Sequence, residues 1–300
     1  MTTIAPAAIK PDAAALAARP ATSPMAAALR QFMRSPAGVA GAVVLLVIIA
    51  ATLFGPRLYG VDPLDIAGAP LSPPDADAWL GTDYLGRDIL AGLLQGGRAT
   101  LTVGGVAAVI TILIGVTMGS LAGFFGGAVD AALTKITEFF QILPPLLFAM
   151  VLVTLFGQSL VVVTLAIGVV SWPSAARLTR AEFLRLRNLD FVKASRAAGG
   201  GNGHLILRVV LPNALPPIIV SATLAIGVAI LVEGGLSFLG LGDPNTMSWG
   251  LMLGQNRNYV LDAWWSVTFP GAAIFIAVLA ISLIGDGIND AINPRLRKRG

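Results

Sequence analysis

The sequence lacks cysteine and contains a single histidine, His204. The absence of thiols excludes disulfides and leaves the redox compartment open. One imidazole without thiolates is too few soft ligands for a transition-metal site. No serine has glycine two residues before and two residues after it, so the nucleophile elbow of serine hydrolases is also absent. We therefore predict no catalytic residue, no metal site and no cofactor bound by this chain.

The sequence also lacks a phosphate-binding loop, in which glycine directly precedes the lysine. The residues before the four lysines are Ile9, Thr134, Val192 and Arg297. A nucleotide site of this kind is therefore excluded from this chain.

Charge is scarce: 12% of the 300 residues are charged and 56% are hydrophobic. Soluble domains carry about 25% charged residues, so this composition indicates a membrane protein. Five long uncharged runs contain 22, 31, 38, 24 and 23 residues. About 20 residues of helix cross the hydrocarbon, so the longest run accommodates two spans and each of the others one.

The spans are predicted to be helical, because lipid leaves no partner for open strands. Gly157-Gln158-Ser159 is the predicted hairpin within the long run. The sequence thus predicts an all-α membrane protein with six transmembrane helices, near residues 37–56, 100–123, 135–156, 159–176, 213–234 and 266–286.

The basic residues predict the orientation. With six spans both termini share a side, which then holds 16 of the 20 Lys and Arg residues. The positive-inside rule places that side, and both termini, in the cytoplasm. The isoelectric point near 9.8 is explained by this topology, so we predict no nucleic-acid partner. The four basic residues on the outer side are Arg57, Arg87, Arg98 and Arg257.

These features predict five regions. They are a disordered cytoplasmic tail (1–28), a first transmembrane region (29–59), an outer loop (60–97), a core with five spans (98–290) and a basic cytoplasmic tail (291–300).

The segment 190–212, here called the hook, lies between the fourth and fifth predicted spans and is suited to partner contact. Asp190 is a predicted N-cap, followed by about two helical turns that Gly199-Gly200-Gly201 end. Phe191, Ala194 and Ala198 share one face of that helix, which could insert into a partner's groove.

Beyond the glycines, residues 204–210 are predicted to form a second short helix that Leu211-Pro212 redirects into the membrane. A basic loop on acidic headgroups would explain the charge of this segment. It would not explain a capped helix, a triple-glycine stop and a terminal Leu-Pro.

The hook resembles the cytoplasmic signature of ABC importer permeases, which reads EAA, three residues, Gly, nine residues, Ile, one residue, Leu-Pro. The matching positions are Lys193-Ala194-Ser195, Gly199, Val209 and Leu211-Pro212. Lys193 replaces the acidic residue of the signature and Ser195 replaces an alanine. A different residue at the first position is common in the branch that imports dipeptides, oligopeptides and nickel.

A second stretch in the outer loop is similar to the GTDxxGRD segment of C-type permeases of that branch. Its family residues are Gly81, Thr82, Asp83, Gly86, Arg87 and Asp88. Asp83 and Arg87 are expected to pair, and Ile89, Leu90, Leu93 and Leu94 are expected to form an interfacial helix. The loop is interpreted either as a cap on the bundle or as a docking site for an external binding protein.

The resemblance implies a type I ABC importer permease fold in a bacterial cytoplasmic membrane, surrounded by lipid. It implies a second permease, two ATPases and an extracytoplasmic solute-binding protein as partners, with dipeptides or oligopeptides as solute and nickel as the alternative. The residues it assigns to ATPase coupling are Asp190, Phe191, Lys193, Ala194, Ser195, Arg196, Ala198, Gly199, Leu211 and Pro212.

A stand-alone, ion-driven carrier is the remaining alternative. Such carriers place ionisable groups near the bilayer midplane, whereas the uncharged runs contain none. Asp130, Glu233 and Asp286 lie at the edges of the runs and are interpreted as interfacial charges. Membrane glycines are interpreted as packing sites. The polar residues considered as lining for a solute route are Gln141, Gln158, Gln255 and Asn256.

Overall fold

A computed structural model describes residues 24–292, and its regular secondary structure there is helical. Two isolated antiparallel bridges, Ile66 with Arg87 and Thr82 with Asp88, lie in the loop after the first long helix. The prediction of a helical protein is confirmed for this range. The predicted N-terminal tail extends too far, because a helix begins at Pro24. The remainder of that tail, 1–23, and residues 293–300 of the basic tail lie outside the described residues.

The helices of the described range are numbered here in chain order. They are α1 (Pro24–Phe32), α2 (Pro36–Tyr59), α3 (Ile89–Phe125), α4 (Gly127–Ile142), α5 (Pro145–Phe156), α6 (Leu160–Ser171), α7 (Pro173–Leu186), α8 (Asp190–Ala197), α9 (Asn202–Phe238), α10 (Trp249–Asn256) and α11 (Trp265–Ile292).

Five stretches of the described chain are long and apolar enough to cross a membrane, and the bent pair α4–α5 is a sixth candidate. The five are α2, α3, the joined helices α6–α7, α9 and α11. Each of the six predicted spans overlaps one of these candidates.

The interfacial helix predicted after the outer loop is wrong, because its residues form the first turns of α3. The Asp88 carboxylate caps this helix by accepting a 2.8 Å hydrogen bond from the Ala91 N–H. No proline follows, so the 37-residue helix continues unbroken to Phe125, a length of about 55 Å. The predicted boundary at residue 97 therefore cuts through α3.

The third predicted span is not one straight helix. α4 and α5 meet at an angle of 83°. Leu143 adopts an extended conformation (φ −83°, ψ 131°) because a proline follows it, and Pro144 and Pro145 then start the next helix. The Pro-Pro pair thus redirects the chain at this point.

The hairpin predicted at residues 157–159 is confirmed. Gly157 has φ +100°, and Ser159 caps α6 through its side-chain oxygen. The following span is longer than predicted, because α7 carries the helix on to Leu186. The uncharged run ends before Arg177, so a count of uncharged residues could not include the rest of this helix.

Small residues bring α3 and α7 into close contact. Gly115, Gly119 and Gly123 repeat every four residues on α3. A Cβ built on Gly119 would lie 2.3 Å from the carbonyl oxygen of Ala176, and one on Gly123 would lie 2.6 Å from the Cβ of Phe183. These glycines are therefore packing positions, as the small-xxx-small pattern of membrane helices indicates.

Glycines also join the first and last long helices. A Cβ on Gly38 of α2 would lie 3.0 Å from the Cα of Gly287, and one on Gly41 would lie 2.6 Å from the carbonyl oxygen of Ala280. α2 thus packs directly on α11, and α1 also contacts α11.

Candidate functional site

The hook folds back onto the ends of α3 and α7. Val192 is 1% exposed, and Leu205 and Val210 are fully buried. They pack in one apolar cluster with Phe124, Phe183, Leu186, Ala214 and Ile218. Sequence reasoning missed Val192 and Leu205 as anchors. The available signal was that Val192 lies on the face of α8 opposite the small-residue face.

The predicted contact face of α8 lies at the surface. Phe191 is 42% exposed, and Ala194 and Ala198 are exposed beside it. An exposed aromatic ring next to two methyl-sized side chains leaves a shallow apolar patch on a helix that is anchored from its other side by Val192.

Asp190 is not the N-cap that the sequence predicts. α8 begins one residue earlier than expected, so Leu189 occupies the cap position without a side-chain hydrogen bond. Asp190 is the first helical residue, and its Oδ1 lies 3.2 Å from the Nζ of Lys193. Both groups are exposed, so this pair contributes little stability.

The other end of α8 turns as predicted. Gly199 has φ +88°, which a side chain would disfavour, and the Gly200 N–H donates to the Ser195 carbonyl at 3.0 Å. The Arg196 guanidinium lies 5.7 Å from the centroid of the Phe124 ring, so this cation helps to hold the hook against α3.

The second short helix of the hook is not separate, and this prediction is wrong. Residues 202–210 are the first part of α9, which continues without a break to Phe238. Pro212 has no N–H to donate, and the preceding segment Leu205–Val210 is a π-helix in which the Leu211 N–H donates to the Ile206 carbonyl. The Asn213 side-chain amide donates to the Val209 carbonyl at 2.7 Å. The helix therefore accommodates Pro212 and continues without a turn at this residue.

Two polar contacts brace the helices above the hook. Arg187 Nη1 donates to the carbonyls of Gly123 (2.9 Å) and Phe124 (3.2 Å) at the end of α3. Asp130 receives two hydrogen bonds from the Arg180 guanidinium, with Nη2 to Oδ2 at 2.7 Å. Asp130 thus forms an ion pair between α4 and α7; its interpretation as an interfacial charge stays a prediction.

The outer-loop motif folds the loop onto the helices. Gly81 and Gly86 both have φ +79°, which favours glycine. Thr82 donates through Oγ1 to the Ala69 carbonyl (2.7 Å), and its own carbonyl accepts from the Trp265 indole (3.2 Å). Tyr59 donates to the second oxygen of the Asp88 carboxylate at 2.8 Å. The motif residues thus join the loop to α2, α3 and α11.

The predicted pair between Asp83 and Arg87 is not formed by their side chains. Asp83 Oδ1 instead accepts hydrogen bonds from the backbone N–H groups of Leu85 and Arg87, both at 2.8 Å. The short turn places these two amides on the carboxylate. Asn256, considered as a route-lining residue, is 1% exposed and accepts from the Tyr84 N–H at 3.2 Å, so it anchors this turn.

Glu233 is buried, and its interpretation as an interfacial charge is wrong. It is 1% exposed, and its Oε1 accepts hydrogen bonds from the hydroxyls of Ser237 and Ser248, both at 2.8 Å. Its Oε2 accepts from Thr100 at 3.4 Å, while the Thr100 oxygen accepts from the Trp249 N–H at 3.2 Å. One carboxylate thus connects α3, α9 and the start of α10.

Among residues 24–292 no group of three or more His, Asp and Glu side chains could hold a metal ion. The groups that the fold assembles are a surface hook, a folded outer loop and a buried carboxylate hub at Glu233.

Comparison with known proteins decides the family. The family of binding-protein-dependent transport system inner membrane components matches residues 115–298, and the N-terminal transmembrane domain of oligopeptide transport permease C matches residues 23–74. The chain belongs to this permease family. The permease is therefore an inner-membrane component of an ABC transporter, as the resemblance of the hook predicts.

Curated relatives resemble the permease along nearly all its length. It is 39% identical to the di/tripeptide transport system permease protein DppC of Pseudomonas aeruginosa over 283 residues, which covers 92% of this chain and 93% of the relative. It is also 39% identical to the probable D,D-dipeptide transport system permease protein DdpC of Escherichia coli over 264 residues, 87% of this chain and 88% of the relative.

A solved structure shares the fold of the permease. A chain from the inward-facing MetNI methionine ABC transporter superimposes with a TM-score of 0.56 at 19% identity, covering 67% of this chain and 96% of the other. This likeness supports the predicted ABC-permease fold for the larger part of the chain.

Proposed function

We propose that the chain is a pathway-forming subunit of an ATP-driven importer of dipeptides or oligopeptides. The observation that carries this proposal is the 39% identity to a di/tripeptide permease over 92% of the chain. The chain itself catalyses no reaction; ATP and magnesium are bound by two partner ATPases, and an extracytoplasmic binding protein delivers the solute to this chain and a second permease.

The topology that accompanies this function has six spans, with the bent pair α4–α5 counted as one. Both termini and the hook lie in the cytoplasm, and the folded outer loop faces the opposite side. The 16-to-4 distribution of basic residues supports this orientation. Arg180, Arg187 and Arg196 all lie at the hook end of the bundle and fit the cytoplasmic assignment.

The hook is the ATPase coupling element. Phe191, Ala194 and Ala198 insert into a groove of the ATPase, and the exposed Lys193 contacts its rim. Ser195 and Gly199 close the turn at the end of α8. Since the π-helix leaves the hook continuous with α9, closure of the ATPases displaces this 37-residue helix together with the hook.

The main role of the outer loop is to cap the helix bundle. Its motif residues bond to Tyr59, Trp265 and Asn256, which supports a structural role for the loop at the mouth of the pathway. The outward surface of this cap is where the binding protein docks.

The test is uptake by the reconstituted complex. Proteoliposomes that contain both permeases, the ATPases and the binding protein are supplied with ATP inside and with alanine peptides of two to five residues outside. We expect ATP-dependent peptide uptake, measured by mass spectrometry of the lumen. Uptake of nickel chelates without peptide uptake would favour the nickel alternative, and uptake by this chain alone under an ion gradient would favour an ion-driven carrier.

A further inference from the structure

A compact turn, residues 75–81, lies at the surface of the outer loop and is here called the outer turn. Asp75 Oδ1 accepts hydrogen bonds from the N–H groups of Asp77 (3.0 Å) and Ala78 (2.7 Å). The Ala78 carbonyl accepts from the N–H groups of Asp75 (3.0 Å) and Gly81 (2.9 Å), and Ala78 itself is 5% exposed. The outer turn is therefore folded by its own hydrogen bonds and anchored by one buried side chain.

Trp79 is the exposed aromatic residue of this turn. Its side chain is 63% exposed, and its ring lies 5.9 Å from the ring of Tyr59, the last residue of α2. Tyr59 is itself fixed, because its hydroxyl donates to the Asp88 carboxylate at 2.8 Å. A tryptophan on a preorganised support loses little conformational freedom when a partner buries it. Such aromatic anchors carry much of the binding energy of protein interfaces.

The charges of the loop have one sign. Between Leu58 and Gly86 the chain contains five Asp residues and no Lys or Arg. Asp83 is buried, whereas Asp75 and Asp77 are exposed on the outer turn itself. The Asp77 carboxylate makes no hydrogen bond and no ion pair within residues 24–292, so it can pair with a cation on a partner.

Membrane lipid is the alternative partner of Trp79, because tryptophan is common where helices leave a bilayer. Segments that lie on a membrane surface are rich in Lys and Arg, however, and this loop contains neither between Leu58 and Gly86. Anionic headgroups would repel the exposed carboxylates beside Trp79. An aromatic anchor with a charged rim is instead the usual composition of a protein interface.

We infer that Trp79 inserts into a pocket of the extracytoplasmic binding protein, and that Asp75 and Asp77 pair with basic residues around that pocket. This inference rests on the proposed function, which supplies the binding protein as a partner. It specifies where that protein docks on this chain and what its docking face carries: an apolar centre with a basic rim. Opposite charges on the two faces would also speed their encounter.

The first test removes the aromatic anchor. The affinity of the peptide-loaded binding protein for the complete complex in nanodiscs is measured by surface plasmon resonance, and basal ATPase activity verifies that each variant complex is assembled. Trp79→Ala is expected to weaken binding about 30-fold, the loss typical of an interface anchor, and Trp79→Phe to weaken it less. Leu58→Ala is the matched control for lipid contact, because Leu58 is 85% exposed near the end of α2, and it should leave the affinity unchanged.

The second test reverses a charge. Asp77→Lys is expected to weaken binding about 10-fold at about 50 mM salt and much less at about 500 mM, because salt screens exposed charges. Asp290→Lys is the matched control, since Asp290 is exposed near the end of α11, whereas the outer loop contacts Trp265 at the start of that helix. This control should leave the affinity unchanged at both salt concentrations.

Unchanged affinity of Trp79→Ala would overturn the inference. An equal loss in Leu58→Ala would also overturn it and would indicate lipid anchoring. A loss in Asp77→Lys that salt does not reduce, or no loss at all, would exclude the acidic rim. Peptide uptake by the unmodified complex tests the proposed function separately, so uptake combined with any of these results would remove the docking site and leave the function standing. If the unmodified complex neither binds the loaded binding protein nor takes up peptide, the function and the inference are both overturned.

Discussion

The Glu233 carboxylate accepts a 2.8 Å hydrogen bond from the Ser248 hydroxyl, although the two residues belong to different helical elements on either side of an irregular segment. Ser248 is also the N-cap of α10, and its oxygen accepts from the Leu251 N–H at 3.1 Å. One hydroxyl thus caps the short helix and fastens it to α9.

Removal of this carboxylate should destabilise the permease. Glu233→Ala leaves the hydroxyls of Ser237, Ser248 and Thr100 without their acceptor and opens a cavity, at a cost of about 2 to 4 kcal/mol. Glu233→Gln keeps one acceptor oxygen and a similar volume, so a smaller loss is expected. Thermal unfolding in detergent measures the stability of both variants. Equal stability of Glu233→Ala and the unmodified chain would contradict the stabilising role of the Glu233 carboxylate.

Packing of α3 on α7 predicts a contrast between two glycines. Gly119→Ala places a Cβ 2.3 Å from a backbone carbonyl and should destabilise the protein by about 1 to 3 kcal/mol. Gly105→Ala is the matched control, because a Cβ there meets no atom within 4 Å and alanine favours the helix. Thermal unfolding of the two variants should therefore shift in opposite directions; similar shifts would show that the contact is not close.

The hook can be tested separately from the fold. Ala194→Glu adds a buried charge to the proposed ATPase contact, and we expect membrane insertion to persist while the ATPases no longer copurify and uptake falls at least 10-fold. Ala131→Glu, at an exposed alanine outside the hook, is the matched control and should retain the ATPases. Full copurification with Ala194→Glu would exclude this face as the contact.

The Asn213 side-chain amide braces the π-helix through which the hook passes into the rest of α9. Asn213→Leu removes the donor to the Val209 carbonyl, and the loss of this bond should cost about 1 kcal/mol. We expect faster amide hydrogen exchange in residues 205–212 of the purified complex, since the π-helix then has fewer bonds to hold it. Unchanged exchange would mean that backbone bonds alone maintain the junction.

The charge pattern located the helices that are candidates to span a membrane, because the thickness of the bilayer imposes a minimum length on each uncharged run. It missed the 83° bend between α4 and α5, although Pro144-Pro145 was visible, because prolines within spans are also tolerated without a bend. The continuation of α7 to Leu186 was missed because a helix that leaves the bilayer no longer needs apolar residues.

Among the site residues, the local features were predicted from the sequence and the contacts between distant residues were not. The glycine turn at Gly199 is local, so spacing predicted it correctly. The partners of Glu233 are remote: Thr100 lies 133 residues away in sequence. The burial of Val192 likewise depends on Phe183, which belongs to another helix. Sequence spacing carries no information about such pairs until the helices have packed.

The contact between Gly38 and Gly287 has a consequence for biosynthesis. The first long helix of the chain leaves the ribosome about 230 residues before the surface on which it packs, and a ribosome adds about 5 to 20 residues per second. α2 therefore waits in the bilayer for at least about ten seconds with its glycine face open. During that interval it can associate with another small-residue helix, so a chaperone or an insertase that prevents mispairing would have to act before α2 closes on α11.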